Sequence, residues 1–94
     1  MARSFIDMKS AIKGIRWLCN SFYKKAIKAE KESDIKTIIQ KYFLVVHHCV
    51  WLACHYAMLT SKQYDKIKAG NMMVPYTRMR LKAEKKILQY AKKL

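Results

Sequence analysis

The longest uncharged run lies in the middle of the chain. From Tyr42 to Leu59 there is no Lys, Arg, Asp or Glu, although Lys is frequent elsewhere. Around this run, apolar side chains recur in steps of three and four, which is the period of an α-helix with a buried face. The residues on this side are Ile35, Ile38, Tyr42, Val45, Cys49, Ala53, Tyr56 and Ile67. The pattern therefore predicts a central helix from about residue 34 to residue 69.

The predicted central helix carries two further stripes. One is narrow and polar: Thr37, Lys41, His48, His55, Lys62 and Lys66. The other is apolar and repeats every seven residues: Leu44, Trp51 and Met58. A helix that is apolar on nearly every side is covered by other helices, by a second chain or by lipid. We therefore expect a homodimer or higher homo-oligomer that forms through this apolar stripe.

An amphipathic helix is predicted before the central one, over residues 4–31. Ser4 and Asp7 resemble a capping box at its start. Ser33 and Asp34 are candidate N-caps for the central helix. Because the connection between the two helices is short, we expect them to form an antiparallel hairpin.

A last helix is predicted over residues 78–93. Gly70 suits a helix C-cap and Pro75 a helix stop, so residues 71–77 are predicted to be a loop, with Thr77 as the next N-cap. A second capping-box pattern, at Thr60, leaves open a break in the central helix near residue 60. Two Gly and one Pro provide few turns for a β fold. The chain is therefore predicted to be one all-α domain, residues 1–94: a three- or four-helix bundle around one long central helix.

The net charge indicates a polyanionic partner. Twenty Lys and Arg against six Asp and Glu give a formal charge of +14. This imbalance makes the free protein repel itself, and it is typical of proteins that bind nucleic acid or anionic membranes. Most of the cations are Lys, which contacts phosphate as a point charge, whereas Arg can read base edges. The composition favours contacts to the nucleic-acid backbone.

Cations line one side of the first and of the last predicted helix, almost without acids. A solvated amphipathic face is the ordinary explanation of such a stripe, but two stripes this poor in acids exceed what solvation requires. Trp17 lies among the cations, where it can stack on a base, support a Lys side chain, or pack against another helix or protomer. The candidate nucleic-acid-binding residues are Lys9, Lys13, Arg16, Trp17, Lys24, Lys28, Arg78, Arg80, Lys82, Lys85 and Lys92.

Histidines and cysteines raise the question of a metal site. Two ligands on one helix need a spacing of three or four residues to reach the same metal ion. His47, His48, Cys49, Cys54 and His55 contain no such pair. No Gly-rich phosphate loop and no nucleophile motif appears either. We therefore expect no metal, no cofactor and no catalysis.

The cysteines and the N-terminus favour the cytoplasm. Three cysteines cannot all pair, and their spacing is not that of a secreted disulfide framework. The N-terminus lacks the apolar run of a signal peptide. Residues 42–59 reach the length of a membrane span, but three histidines and the polar stripe interrupt them. A small single-span membrane protein is therefore a minor alternative.

The chain is short, lysine-rich and predicted to be all-helical. In this general character it resembles small early proteins of T-even-like phages. That group includes RNA-binding proteins that antagonise host toxin–antitoxin ribonucleases. The resemblance implies RNA binding in a host cytoplasm and assigns no residue. We expect a non-catalytic nucleic-acid-binding protein that prefers RNA to DNA. The alternative is an inhibitor that covers an acidic host protein with its basic surface.

Overall fold

Three α-helices make up the fold. The computed structural model describes the backbone of residues 5–60 and 66–94, and the side chains of residues 10–58 and 68–94. The helices are α1 (Phe5–Glu32), α2 (Ile35–Thr60) and α3 (Lys66–Ala91). No strand occurs in these ranges, and α2 packs against both α1 and α3. The predicted all-α bundle around a central helix is confirmed, although the central helix is no longer than its neighbours.

The connection between α1 and α2 is the short hairpin that the sequence predicts. Asp34 is the N-cap of α2, because the backbone N–H of Thr37 donates to Asp34 Oδ1 at 3.0 Å. Hydrogen bonds from Thr37 to the carboxylate hold the pKa of Asp34 below its usual value. The Phe22 ring on α1 stacks on the His48 ring on α2 at 4.6 Å. The two helices are antiparallel.

The third helix differs from its prediction. The predicted loop over residues 71–77 is wrong, because α3 runs unbroken from Lys66 through Gly70 and Pro75. Ala69, Met72, Met73 and Tyr76 lie at helical spacing and pack into the core. Burial of these side chains outweighs the local cost of Gly and Pro, as tertiary packing often does. Pro75 is exposed and points away from the core.

The end of the central helix is only partly described. Of the two possibilities left open for residues 34–69, one unbroken helix or a break near residue 60, the structure agrees with the break, since α2 is assigned to Ile35–Thr60 and α3 begins at Lys66. Residues 61–65, which hold most of the second capping-box pattern, lie outside the described residues, as does Ser4 of the first one.

The core lies along the inward side of α2. Ile38, Tyr42, Val45, Cys49 and Tyr56 are buried, as the helical period predicts. Because α2 contacts a helix on each side, its buried arc is wider than one stripe. Within this arc Leu52 is fully buried, and His55, which was predicted on the polar stripe, is buried with 8% exposure. Ala53, predicted inside, is exposed beside α3.

One carboxylate connects all three helices. Glu30, near the end of α1, accepts hydrogen bonds from Tyr42 Oη on α2 at 2.5 Å and from Tyr90 Oη on α3 at 2.6 Å. Lys86 Nζ on α3 forms an ion pair with the same carboxylate at 3.0 Å. Glu30 retains 18% of its side-chain exposure. This acid therefore serves the fold and leaves little negative charge at the surface.

Candidate nucleic-acid interface

The two basic helices run in the same direction and are bridged by long side chains, while each packs mainly against α2. On α1, Arg16 Nε and Asn20 Nδ2 both donate to Tyr76 Oη on α3, at 3.2 and 3.4 Å. Further along, Glu30 contacts Lys86 and Tyr90. All four pairs are 56 or 60 residues apart. The constant offset shows that α1 and α3 run in the same direction, with positions about 58 residues apart at the same level.

This register brings cations of both helices together on one side of the bundle. Lys24 lies level with Lys82, and Lys28 lies level with Lys85 or Lys86, by the same offset. On α3, this side lies opposite Thr77 and Arg80, which face α2. We call it the basic face: Lys13, Arg16, Lys24, Lys28, Arg78, Lys82 and Lys85. Its lysines and Arg78 are all exposed.

Few acids lie next to the basic face, and among the described side chains the exposed one on α1 is Glu32, one turn after Lys28. Glu30 is held inside by Tyr42, Tyr90 and Lys86. Glu84 pairs with Arg80 at 2.7 Å, on the side of α3 that faces α2. Among the described residues, no ion pair neutralises Lys13, Lys24, Lys82 or Lys85. The positive potential of this face is therefore little reduced by internal pairing.

Two arginines predicted to bind nucleic acid have structural partners. Arg80 lies away from the basic face, with its side chain against Glu84 and beside a cavity of about 330 Å³ between α2 and α3. Arg16 is half-buried, and its guanidinium carbon lies 5.8 Å from the centre of the Tyr76 ring. The hydrogen bond to Tyr76 raises the pKa of Arg16. Arg78 on α3 is exposed and remains a candidate for base contacts.

Two other predicted residues lie at the margins. Lys9 belongs to α1, but its side chain lies outside the described residues. Lys92 follows the last residue of α3 and is exposed. Lys86 and Asn20 are not among the predicted nucleic-acid-binding residues, although their contacts connect the two basic helices. Their helical spacing from Lys82 and Arg16 was the available signal.

Trp17 is an exposed aromatic residue on the outer side of α1. Its side chain is 66% exposed, so it does not pack against another helix of the same chain. A concave region lies beside it, lined by Trp17, Asn20, Ser21, Tyr23 and Lys24. An apolar ring thus borders a polar concavity within a cationic surface.

The side of α2 that faces away from α1 and α3 is apolar. No charged residue occurs between Lys41 and Met58. Leu44, Trp51 and Met58, predicted as a contact stripe, are all partly exposed, and His48 and His55 lie against Trp51 at ring distances of 6.0 and 5.5 Å. The most exposed large apolar side chains on this side are Phe43, Val50, Trp51 and Met58. We call this surface the α2 outer face.

His48, His55 and Cys49 on α2 form hydrogen bonds within the helix or in the core. His48 and His55 each form a hydrogen bond between Nδ1 and the carbonyl oxygen four residues earlier, at 2.7 and 3.0 Å. Cys19 and Cys49 are buried against each other, and their hydrogen bond together with burial raises the pKa of Cys19. No group of three metal-ligating side chains occurs in the described part of the chain.

Comparison of the chain with protein-family models, curated proteins and solved structures gave no match. The helix segment Ile35–Met58 is long and apolar enough to cross a membrane by composition, a test that the core helix of a soluble protein also passes. By its fold and charge distribution, the protein is a three-helix bundle with a basic side and an apolar side.

Proposed function

We propose that this protein binds nucleic acid without catalysis, through phosphate contacts on the basic face, and prefers RNA to DNA. The observation that carries the proposal is the alignment of Lys24 with Lys82 across two parallel helices, with exposed Lys28 and Lys85 about one turn further along each helix. Lysines at matching levels form a continuous band of charge, whereas a merely solvated surface would interleave acids. Such a band tracks a phosphate backbone.

Two properties of the basic face support the preference for RNA. Its cations are mainly lysines, which suit phosphate more than base edges. A-form RNA also presents a wide, shallow minor groove with 2′-hydroxyls, so a helical lysine surface can follow its shape. The resemblance to small early phage proteins suggests a biological setting, namely antagonism of a toxin or defence system in a host cytoplasm.

We expect a structured RNA hairpin to compete better than a DNA duplex of matched sequence. The measurement is displacement of a fluorescent RNA from the protein at about 150 mM salt, where surface charges are screened within about 8 Å. Equal competition by the RNA hairpin and the DNA duplex would indicate a general polyanion binder without a preference for RNA. Absence of binding to both nucleic acids, with binding to an acidic protein, would favour the inhibitor alternative.

We also propose that a second copy of the chain covers the α2 outer face. Two strongly cationic chains approach with least repulsion through surfaces that carry no charge, and this face has none between Lys41 and Met58. From Phe43 to Met58, the α2 outer face is about 22 Å long at a rise of about 1.5 Å per residue. Pairing here leaves both basic faces on the outside of the dimer, accessible to nucleic acid.

The substitution Trp51→Glu is expected to give a folded monomer. Trp51 is 42% exposed, so the carboxylate remains solvated in a single chain but becomes buried and unpaired in the dimer. Sedimentation velocity measures the change, with Leu88→Glu as control, because Leu88 is exposed on α3 instead. A wild type that is monomeric at all concentrations would exclude the dimer, and one that requires detergent would favour the membrane alternative.

A further inference from the structure

We infer that Trp17 is a stacking site for one unpaired nucleobase, so that the preferred RNA has a bulge, a loop or a single-stranded end. This inference rests on the proposed function and specifies its ligand. The site is Trp17 with the neighbouring concavity, which is lined by Asn20, Ser21, Tyr23 and Lys24.

Exposure of the indole is the first argument. An aromatic side chain that is 66% exposed gains little from its own fold, since burial is what stabilises large apolar groups. Among the described residues, no aromatic ring stacks on Trp17 and no cation lies over it. The indole therefore has ring surface available to an incoming base.

The surroundings of the indole give the second argument. Lys13 lies one turn before Trp17 and Lys24 two turns after it, so cations flank the ring along the helix axis. The side chains of Asn20, Ser21 and Tyr23 supply hydrogen-bond donors and acceptors beside it. Proteins that bind single strands combine these elements, an aromatic platform and a positive groove.

The ligand must contain an unpaired base. A base in a continuous duplex is stacked between its neighbours and cannot present its face to an indole, whereas loops and bulges expose bases for stacking. The basic face then holds the flanking phosphates through Lys13 and Lys24. The same arrangement does not require a particular base, because every base has a π face.

Single-tryptophan variants test this site directly, since the chain has two Trp residues. In Trp51→Phe, the fluorescence of Trp17 should be quenched by a short single-stranded oligoribonucleotide and not by a blunt RNA duplex. In Trp17→Phe, the fluorescence of Trp51, on the α2 outer face, should not be quenched by either RNA. Trp17→Ala should weaken binding of the single strand roughly 5- to 100-fold and leave duplex binding nearly unchanged, while Trp17→Phe should retain most of it.

The outcomes separate this inference from the proposed function. Binding of both RNAs with unchanged Trp17 fluorescence would overturn the stacking site and leave phosphate binding in place. If neither the single strand nor the duplex binds in a gel-shift assay, both the stacking site and the proposed function are overturned. A shift of Trp17 fluorescence with protein concentration alone, without RNA, would assign the indole to a contact between protomers and also overturn the stacking site.

Discussion

Raising the salt concentration from about 50 mM to about 200 mM is expected to weaken binding of a nucleic-acid duplex roughly 10²- to 10⁴-fold. The basic face, with Lys92 and Lys86 at its margins, can place about five to eight cations on phosphates. Each contact releases condensed counterions, so log K should fall with log salt at a slope of about −4 to −7. Fluorescence anisotropy over a salt series measures this slope, which should be slightly shallower on single strands.

Removal of individual lysines should change the slope in proportion. Lys13→Gln with Lys24→Gln is expected to flatten it by about two units and to weaken all sequences alike, because phosphate contacts carry no sequence information. A slope that stays the same in this double variant would show that these lysines do not contact phosphate. A loss confined to one sequence would contradict the backbone mode of binding.

The second large effect concerns stability. Glu30→Ala is expected to lower the free energy of unfolding by about 2–3 kcal/mol, mainly because the buried Tyr42 hydroxyl loses its acceptor. For a domain of this size, that corresponds to a decrease in Tm of roughly 10–20 °C. Thermal unfolding followed by circular dichroism measures it. Glu32→Ala is the matched control: Glu32 is exposed, so its loss should change stability by less than about 0.5 kcal/mol.

The same carboxylate predicts a pH dependence. Burial alone would raise the pKa of Glu30, but hydrogen bonds from Tyr42, Tyr90 and Lys86 outweigh it and place the pKa below the ordinary value of 4.5. A carboxyl whose pKa is lowered by folding stabilises the fold when it is ionised. Its contribution is therefore complete above the unfolded pKa and is lost as the pH falls through the lower folded pKa.

Glu30→Gln isolates this contribution. The difference in unfolding free energy between wild type and Glu30→Gln should be largest above about pH 5 and should shrink as the pH decreases below about 4. A difference that stays constant over this interval would show that the charge of Glu30 does not stabilise the fold. In that case, the connection between the helices would depend on packing alone.

The sequence predicted the fold class and most of the buried side of α2, because both follow from the period of apolar residues. It also predicted Asp34 as a cap, since capping is a local interaction. The course of α3 was missed: Gly70 and Pro75 are strong local signals, and the packing of Ala69 and Tyr76 that overrides them is visible only in three dimensions.

The candidate interface was predicted in composition but not in arrangement. Cation stripes on two helices are evident from spacing, whereas their alignment depends on the register set by Arg16 with Tyr76 and by Glu30 with Lys86. Sequence spacing alone could not show that Arg80 faces α2 and pairs with Glu84. Nor could it decide whether Trp17 packs inside the chain, because an indole off the apolar stripe is compatible with both states.

The most direct test of the basic face compares two charge-matched double variants for binding of one RNA hairpin. Lys24→Gln with Lys82→Gln removes two cations from the basic face. Lys25→Gln with Lys36→Gln removes two exposed cations from elsewhere, since Lys25 lies over the Phe22 ring at 5.3 Å, on the α2 side of α1, and Lys36 belongs to α2. Both variants therefore have the same net charge.

At about 150 mM salt, each phosphate contact contributes about fivefold to affinity by the counterion-release relation, so loss of two contacts should weaken binding about thirtyfold. We expect this loss for Lys24→Gln with Lys82→Gln, and less than about threefold for the control pair. Equal losses in the two variants would contradict the account, because binding would then follow net charge and not the surface formed by α1 and α3.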